Sequence, residues 1–230
     1  MNVGIIGYGS MGKMILEKLA QSHAAGCEEL YISNRTYERI EPLKDRFNVC
    51  RTNAELASKA SIIFICVRPA DIRCILDNIK ESASEDALIV SLNGSISFEL
   101  LEKVWDTKIA KVIPSVTAEV NESQTLVCYN HKVTADDKAV LQKLLACMGN
   151  VIELPEEEMG MGSELVSCMP GFIASMFDVV CQSAKSHTSL TVEQIVQMVT
   201  NTLYGTGRLM LEQNLSFDQV VRRVATKGSI

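Results

Sequence analysis

The sequence predicts a doubly wound α/β domain followed by a small all-helical domain. Three observations carry this reading. Short apolar runs alternate with helical patterns over the first part of the chain, which implies a mostly parallel sheet covered by helices. The first apolar run, from Val3 to Ile6, ends in Gly7-x-Gly9-x-x-Gly12 and opens at once into a helical pattern of Met14, Ile15 and Leu19. After about residue 155 the strand patterns stop, and apolar residues recur at spacings of three and four.

In chain order, strands are expected at 3–7, 29–33, 62–67, 87–92, 109–113, 125–129 and 150–154, with a short one near 49–51. Helices are expected at 10–22, 36–46, 53–60, 70–80, 97–103 and 135–147. Pro69 suits the first turn of the helix that follows the fourth strand. The fifth strand ends in Asn93-Gly94-Ser95 and the sixth in Pro114-Ser115, both ordinary turn chemistry. Beyond the strands, Phe172, Ile173, Met176, Phe177, Val180 and Ala184 mark one helix face. Thr191-x-x-Gln194 is a capping box, and it opens a second helix with Ile195, Val196, Val199 and Leu203 on its apolar side. A third helix is expected from about 217 to 224. The domains are thus read as 1–155 and 156–230.

The composition, 47% hydrophobic and 22% charged, is that of a soluble globular protein. A net charge of −6 with no basic patch argues against nucleic-acid binding. No basic segment precedes an apolar core at the N-terminus, so no leader peptide is expected. No run is expected to cross a membrane, since Pro170 and Asp178 interrupt the most apolar helix. The eight cysteines include no C-x-x-C pair and read as reduced thiols of a cytoplasmic protein. The three histidines have no metal-ligand spacing, and no metal site is expected.

The glycine turn has the context of a dinucleotide-binding fingerprint. Gly7 permits the tight turn, Gly9 lets backbone approach a pyrophosphate, and Gly12 lets the helix pack against the strand. Tyr8, Ser10 and Met11 complete the turn and carry it onto the helix N-terminus. In this Rossmann-type arrangement, an acid at the end of the second strand would select NAD. Here that position reads Ser33-Asn34-Arg35-Thr36 instead. The planar, permanently charged guanidinium and its polar neighbours suit a 2′-phosphate, hence NADP(H). The competing reading makes Arg35 a solvated residue paired with Glu38. Val67-Arg68-Pro69 and Asn93-Gly94 end the next strands on the cofactor side. Pro114 and Ser115 end the sixth strand near the expected nicotinamide. The apolar faces of the helical domain suggest a homodimer interface, because a unit this small rarely closes its own core. The alternative is that these faces pack on the first domain.

With these residues in order, the chain resembles the pyrroline-5-carboxylate reductase family over essentially its whole length, and within it the shorter late-competence branch. Gly7–Gly12 is similar to the family's cofactor turn, Ser33–Thr36 to its NADP-selecting segment, Val67–Pro69 to its Val-Lys-Pro, Pro114-Ser115 to its Pro-Asn, and Gly205–Met210 to its dimerisation helix. The resemblance implies NADPH-dependent reduction of a cyclic imino acid to proline. It places the substrate loop at Val166, Ser167, Cys168 and Met169, where the family carries small residues. It places the second substrate motif at Thr226–Ile230, with Thr226 and Ser229 as the catalytic candidates and the motif's closing threonine past Ile230. The added side chains at 166–169 leave a second possibility open, a weakly active paralogue that binds NADP(H) in a regulatory role.

Overall fold

The computed structural model describes residues 1–225, so the candidates Thr226 and Ser229 lie outside the described residues. Chain contacts divide the molecule into two compact units, Met1–Pro170 and Gly171–Ile230.

The first unit is built on one eight-stranded sheet in the order β3-β2-β1-β4-β5-β6-β7-β8. The strands are β1 (Val3–Ile6), β2 (Leu30–Ser33), β3 (Asn48–Val49), β4 (Ile62–Ile65), β5 (Leu88–Ser91), β6 (Ile109–Ile113), β7 (Ser123–Tyr129) and β8 (Gly149–Glu153). The pairs from β3 across to β6 are parallel, β7 runs antiparallel to β6, and β8 is parallel to β7. Parallel strands covered on both faces must be apolar throughout, which is why β1 and β4 read as unbroken hydrophobic runs.

Two core layers follow from the pleat. On one face Ile5, Ile32 and Phe64 pack under α1 (Ser10–Gln21) and α5 (Ala135–Leu145). On the other, Ile6, Ile63 and Ile89 pack under α2 (Asn53–Ala57), α3 (Ile72–Ile79) and α4 (Phe98–Glu102). The expected strands and most expected helices are present. The expected helix at 36–46 is instead two 3-10 turns, Tyr37–Arg39 and Glu41–Leu43. Pro42 lacks an N–H and disfavours helical backbone at Glu41, which breaks the run.

The boundary expected at residue 155 falls fifteen residues short of the division by contacts, which comes after Pro170. The chain turns back onto the sheet after β8. There α6 (Met159–Ser163) buries Met159, and a Cβ on Gly162 would lie 2.7 Å from Leu126 Cδ1. A π-helical turn, Glu164–Cys168, then leads into α7 (Met169–Lys185). Pro170 removes the N–H that would bond Val166 in a regular helix, and the π turn absorbs that lost bond. The absence of a membrane-length segment also needs correction. The helical span Glu156–Lys185 is long and apolar enough to cross a membrane by length and composition, with a mean hydropathy of 1.5 in its most apolar stretch. Pro170 does not shorten it, because the π turn keeps it continuous.

The second unit carries most of α7, then α8 (Val192–Glu212) and α9 (Phe217–Val224). Both later helices start with reciprocal capping boxes. Gln194 N–H donates to Thr191 Oγ1 (3.2 Å), and Thr191 N–H donates to Gln194 Oε1 (2.9 Å). Ser216 and Gln219 repeat this arrangement at the start of α9. Each box satisfies two N–H groups that the helix leaves unpaired.

Candidate functional site

The glycine turn is tightly determined. Gly7 has φ +101° and its N–H donates to Ser33 O (2.9 Å). A Cβ on Gly12 would stand 2.0 Å from Gly7 O, so only glycine lets α1 pack this close to the turn. Gly9 differs, since a Cβ there would meet nothing within 4 Å. It faces open space of the kind a ligand's phosphates would occupy. Helix α1 starts after Gly9 with no side-chain cap and no acid in its first turn. The N–H groups of Ser10, Met11 and Gly12 and the positive dipole end are therefore left for an anion.

Beside this turn lies a cleft of about 590 Å³ at the carboxyl ends of β1, β2 and β4. Gly7, Tyr8, Gly9, Asn34, Arg35, Thr36, Val67 and Arg68 line it, as does Arg39, which the sequence reading passed over. Two candidates take other roles. Ser33 is 1% exposed and its hydroxyl donates to Asn53 Oδ1 (2.8 Å), so it faces inward. Asn34 accepts Tyr8 N–H on Oδ1 (2.9 Å) and donates from Nδ2 to Thr36 O (2.9 Å). It latches the β2 end to the glycine turn and has little capacity left for a phosphate.

Arg35 and Arg39 are both exposed, and neither forms an ion pair among the described residues. The Arg35–Glu38 pairing is not among the ion pairs found. The four-residue spacing of the two arginines was the available signal for Arg39. Arg68 approaches Asp71 at 3.6 Å and is otherwise solvated. Cys66 also lines the cleft, and burial pushes its thiol up to about 12, so it is protonated and inert.

A second cavity of about 450 Å³ lies further along the same sheet edge. Asn93, Gly94 and Ser95 come from the end of β5 and Ile113 from the end of β6. Met159, Gly160, Ser163, Glu164 and Ser167 come from the helix after β8. Asn93 Oδ1 accepts both Ser95 N–H (3.0 Å) and Ser95 Oγ–H (2.7 Å), which fixes the turn. Of the candidate segment 166–169, Ser167 lines this cavity. Val166 packs against the sheet core, while Cys168 and Met169 line neither cavity. The segment is helical here, so successive residues point in different directions.

Pro114 and Ser115 line neither cavity. Both are buried, with Ser115 N–H donating to Ser123 Oγ (3.1 Å) and Thr117 N–H to Ser115 Oγ (3.4 Å). The 3-10 turn Val116–Val120 between β6 and β7 draws them inward.

Lys111 was also missed. It is 1% exposed in the middle of β6, where its Nζ donates to Glu156 Oε1 (2.7 Å) and Ile96 O (3.0 Å). Glu156 Oε1 also accepts Phe98 N–H (2.7 Å). This network pins the start of the helix that carries Ser163, Glu164 and Ser167. A charge within the apolar run Ile109–Ile113 was its signal. Among the described residues, no group of three or more His, Cys, Asp and Glu side chains is arranged to hold a metal.

Comparison with known proteins follows the same division. A family model described as NADP oxidoreductase coenzyme F420-dependent matches residues 2–94, the part that carries the cofactor cleft. The chain is similar to the structure of Plasmodium falciparum pyrroline carboxylate reductase with NADP bound, with a TM-score of 0.90 and 22% identity over 100% of this chain and 86% of that one. At that identity the likeness is one of fold. ComE operon protein 4 of Bacillus subtilis is 28% identical over 233 residues, covering 100% of this chain and 85% of that protein. Pyrroline-5-carboxylate reductase 3 of Bacillus subtilis is 34% identical over 231 residues, covering 99% of this chain and 85% of its own length. With that identity sustained from the glycine turn through the terminal helices, the chain belongs to the pyrroline-5-carboxylate reductase family.

Proposed function

We propose that the protein reduces the cyclic imine 1-pyrroline-5-carboxylate to L-proline with NADPH. One observation carries this reading. A dinucleotide cleft with free N–H groups, and with Arg35 and Arg39 unpaired among the described residues, shares a sheet edge with a second, smaller polar cavity. Ligands of doubly wound folds bind at that edge. The Bacillus subtilis relative named as a pyrroline-5-carboxylate reductase supports the choice of substrate.

NADPH, when bound, supplies the hydride. The first turn of α1 would hold its pyrophosphate, and Gly9 leaves the room. Arg35, Thr36 and Arg39 would hold the 2′-phosphate, with Asn34 fixing the turn that carries them. The second cavity would position the imine through Asn93, Ser163 and Ser167. An iminium needs no strong protein acid, which fits a cavity lined, among the described residues, by no histidine or lysine. The division of labour is a cofactor domain and a helical domain that joins two copies through α7, α8 and α9. The exposed apolar residues Phe172, Val179 and Tyr204 support that homodimer. Eight free cysteines suit a reducing cytoplasm.

The test is NADPH consumption by the purified protein with and without 1-pyrroline-5-carboxylate. Imine-dependent consumption is the expected result, below the usual enzyme median of about 10 per second. The reason is that residues 166–169 are helical and offer few free N–H donors to a carboxylate. Failure to bind NADPH would remove the reading.

A further inference from the structure

We propose that Lys111 is a positioning residue for the second cavity: its buried ammonium ties the two walls together, and turnover depends on that tie while folding does not. This rests on the reading that the cavity receives the imine. Lys111 lies in mid-β6, in register with Ser91 of β5 and Cys128 of β7. Its face of the strand is otherwise apolar, with Ile109 and Ile113 in the core layer under α4. From there Nζ reaches two separate segments. One is Ile96 O (3.0 Å), just after the Asn93-Gly94-Ser95 turn that forms one wall. The other is Glu156 Oε1 (2.7 Å), shortly before Met159, where the opposite wall begins. The same carboxylate oxygen accepts Phe98 N–H (2.7 Å), so Glu156 also bonds the segment that follows the turn. The Phe98 ring covers the ammonium, with its centroid 5.1 Å from Nζ.

A pair of this kind adds little to the stability of a sheet. Desolvation offsets the attraction of the two charges, and apolar side chains of similar volume often hold a core equally well. What apolar packing does not supply is direction, which hydrogen bonds do. The turn already sits hard against β6, since a Cβ on Gly94 would lie 2.5 Å from Ile113 Cδ1. The helix wall is held to the sheet by Met159, whose unbranched thioether side chain adapts to many positions. Met159 therefore keeps the wall against the sheet without fixing its place along it. The bonds from Lys111 to Glu156 and Ile96 fix that place relative to the turn. Misplacing a bound imine by about 1 Å can cost on the order of a hundredfold in rate.

The experiment compares the wild type with the double variant Lys111→Met/Glu156→Gln and with Lys108→Met. The double variant leaves neither charge of the pair behind, and the glutamine oxygen still accepts Phe98 N–H. Lys108 stands before the other end of β6, pairs with Asp137 (3.1 Å) and lines neither cavity, so it controls for the loss of an ion pair. Amide hydrogen exchange is measured on each protein. Turnover of 1-pyrroline-5-carboxylate is expressed per NADPH-binding site, so that unfolded molecules are not counted. In the double variant, exchange is expected to rise together in 93–98 and 159–167, by about tenfold or more, with β1 and β4 unchanged. Turnover should fall by about tenfold to a hundredfold with NADPH affinity retained, and Lys108→Met should alter none of these. Unchanged exchange in either segment, full turnover with both segments loosened, or the same response from Lys108→Met overturns the proposal. So does loss of NADPH binding or of protection in β1 and β4, because the pair would then support the whole sheet. A wild type that reduces no imine defeats the reductase reading, and linked exchange of the two segments then still decides whether Lys111 ties the walls. An active wild type whose segments do not loosen together defeats the tie and leaves the reductase standing.

Discussion

The same residue types meet opposite fates in the two units. In the first, Ile5, Ile32, Phe64 and Ile89 are at most 1% exposed. In the second, Phe172 is 51%, Tyr204 68% and Phe217 80% exposed within the chain, and α7 has no buried residue. A sheet covered on both faces closes its own core. The described helices of the second unit do not, and they leave large apolar side chains exposed within the chain. The first unit is thus stabilised from within, while the second leaves much of its apolar surface exposed within the single chain.

Phe64→Ala probes the first unit most strongly. It empties a site between two covered faces and is expected to cost about 3–5 kcal/mol in denaturant unfolding, independent of protein concentration. A cost under about 1 kcal/mol would mean that the sheet core is not what holds this unit.

Val179→Asp probes the second. It sets a charge at a residue that is 66% exposed in the single chain, and so should barely affect a monomer. If α7 lies in a dimer interface, the change is expected to cost roughly 2 kcal/mol or more of association and to halve the mass seen by light scattering. An unchanged dimer mass would move the interface off this face of α7.

Arg35→Ala sharpens the contrast within the first unit, between core and cleft. It should leave stability unaltered, weaken NADPH binding by about 1.5–3 kcal/mol, and leave NADH nearly untouched. Equal losses for the two cofactors would shift the 2′-phosphate contact to Arg39.

The smallest expected effect is chemical. Cys74 is exposed and lines the cleft, whereas Cys66 lines it with a thiol pushed up to about 12. Iodoacetamide at neutral pH should label Cys74, severalfold more slowly with NADPH present, and should spare Cys66 in both cases. Labelling of Cys66 would show that the base of the cleft opens to solvent.

What was legible in the sequence was local. Unbroken apolar runs announced the parallel strands, because both faces of such strands are covered. Gly7 and Gly12 announced the turn, because no side chain fits at either position. Thr191 and Gln194 announced the start of α8, because a capping box closes within four residues. The arginine at position 35 stood where an acid would have selected the other cofactor, and it does line the cleft.

Tertiary structure decided the rest, because those features join residues far apart in the chain. Ser33 and Asn34 are adjacent to Arg35, yet one turns inward to Asn53 and the other locks Tyr8. Residues 156–170 look like the start of the helical domain, but Lys111 and the β7 side chain Leu126 hold them to the sheet. The second cavity draws on the ends of two strands and one helix face, so no single stretch of sequence contains it. Short-range hydrogen bonding and sterics were enough to determine the elements. Which side chains face a ligand depended on long-range packing, which becomes readable only when the strand ends are brought together.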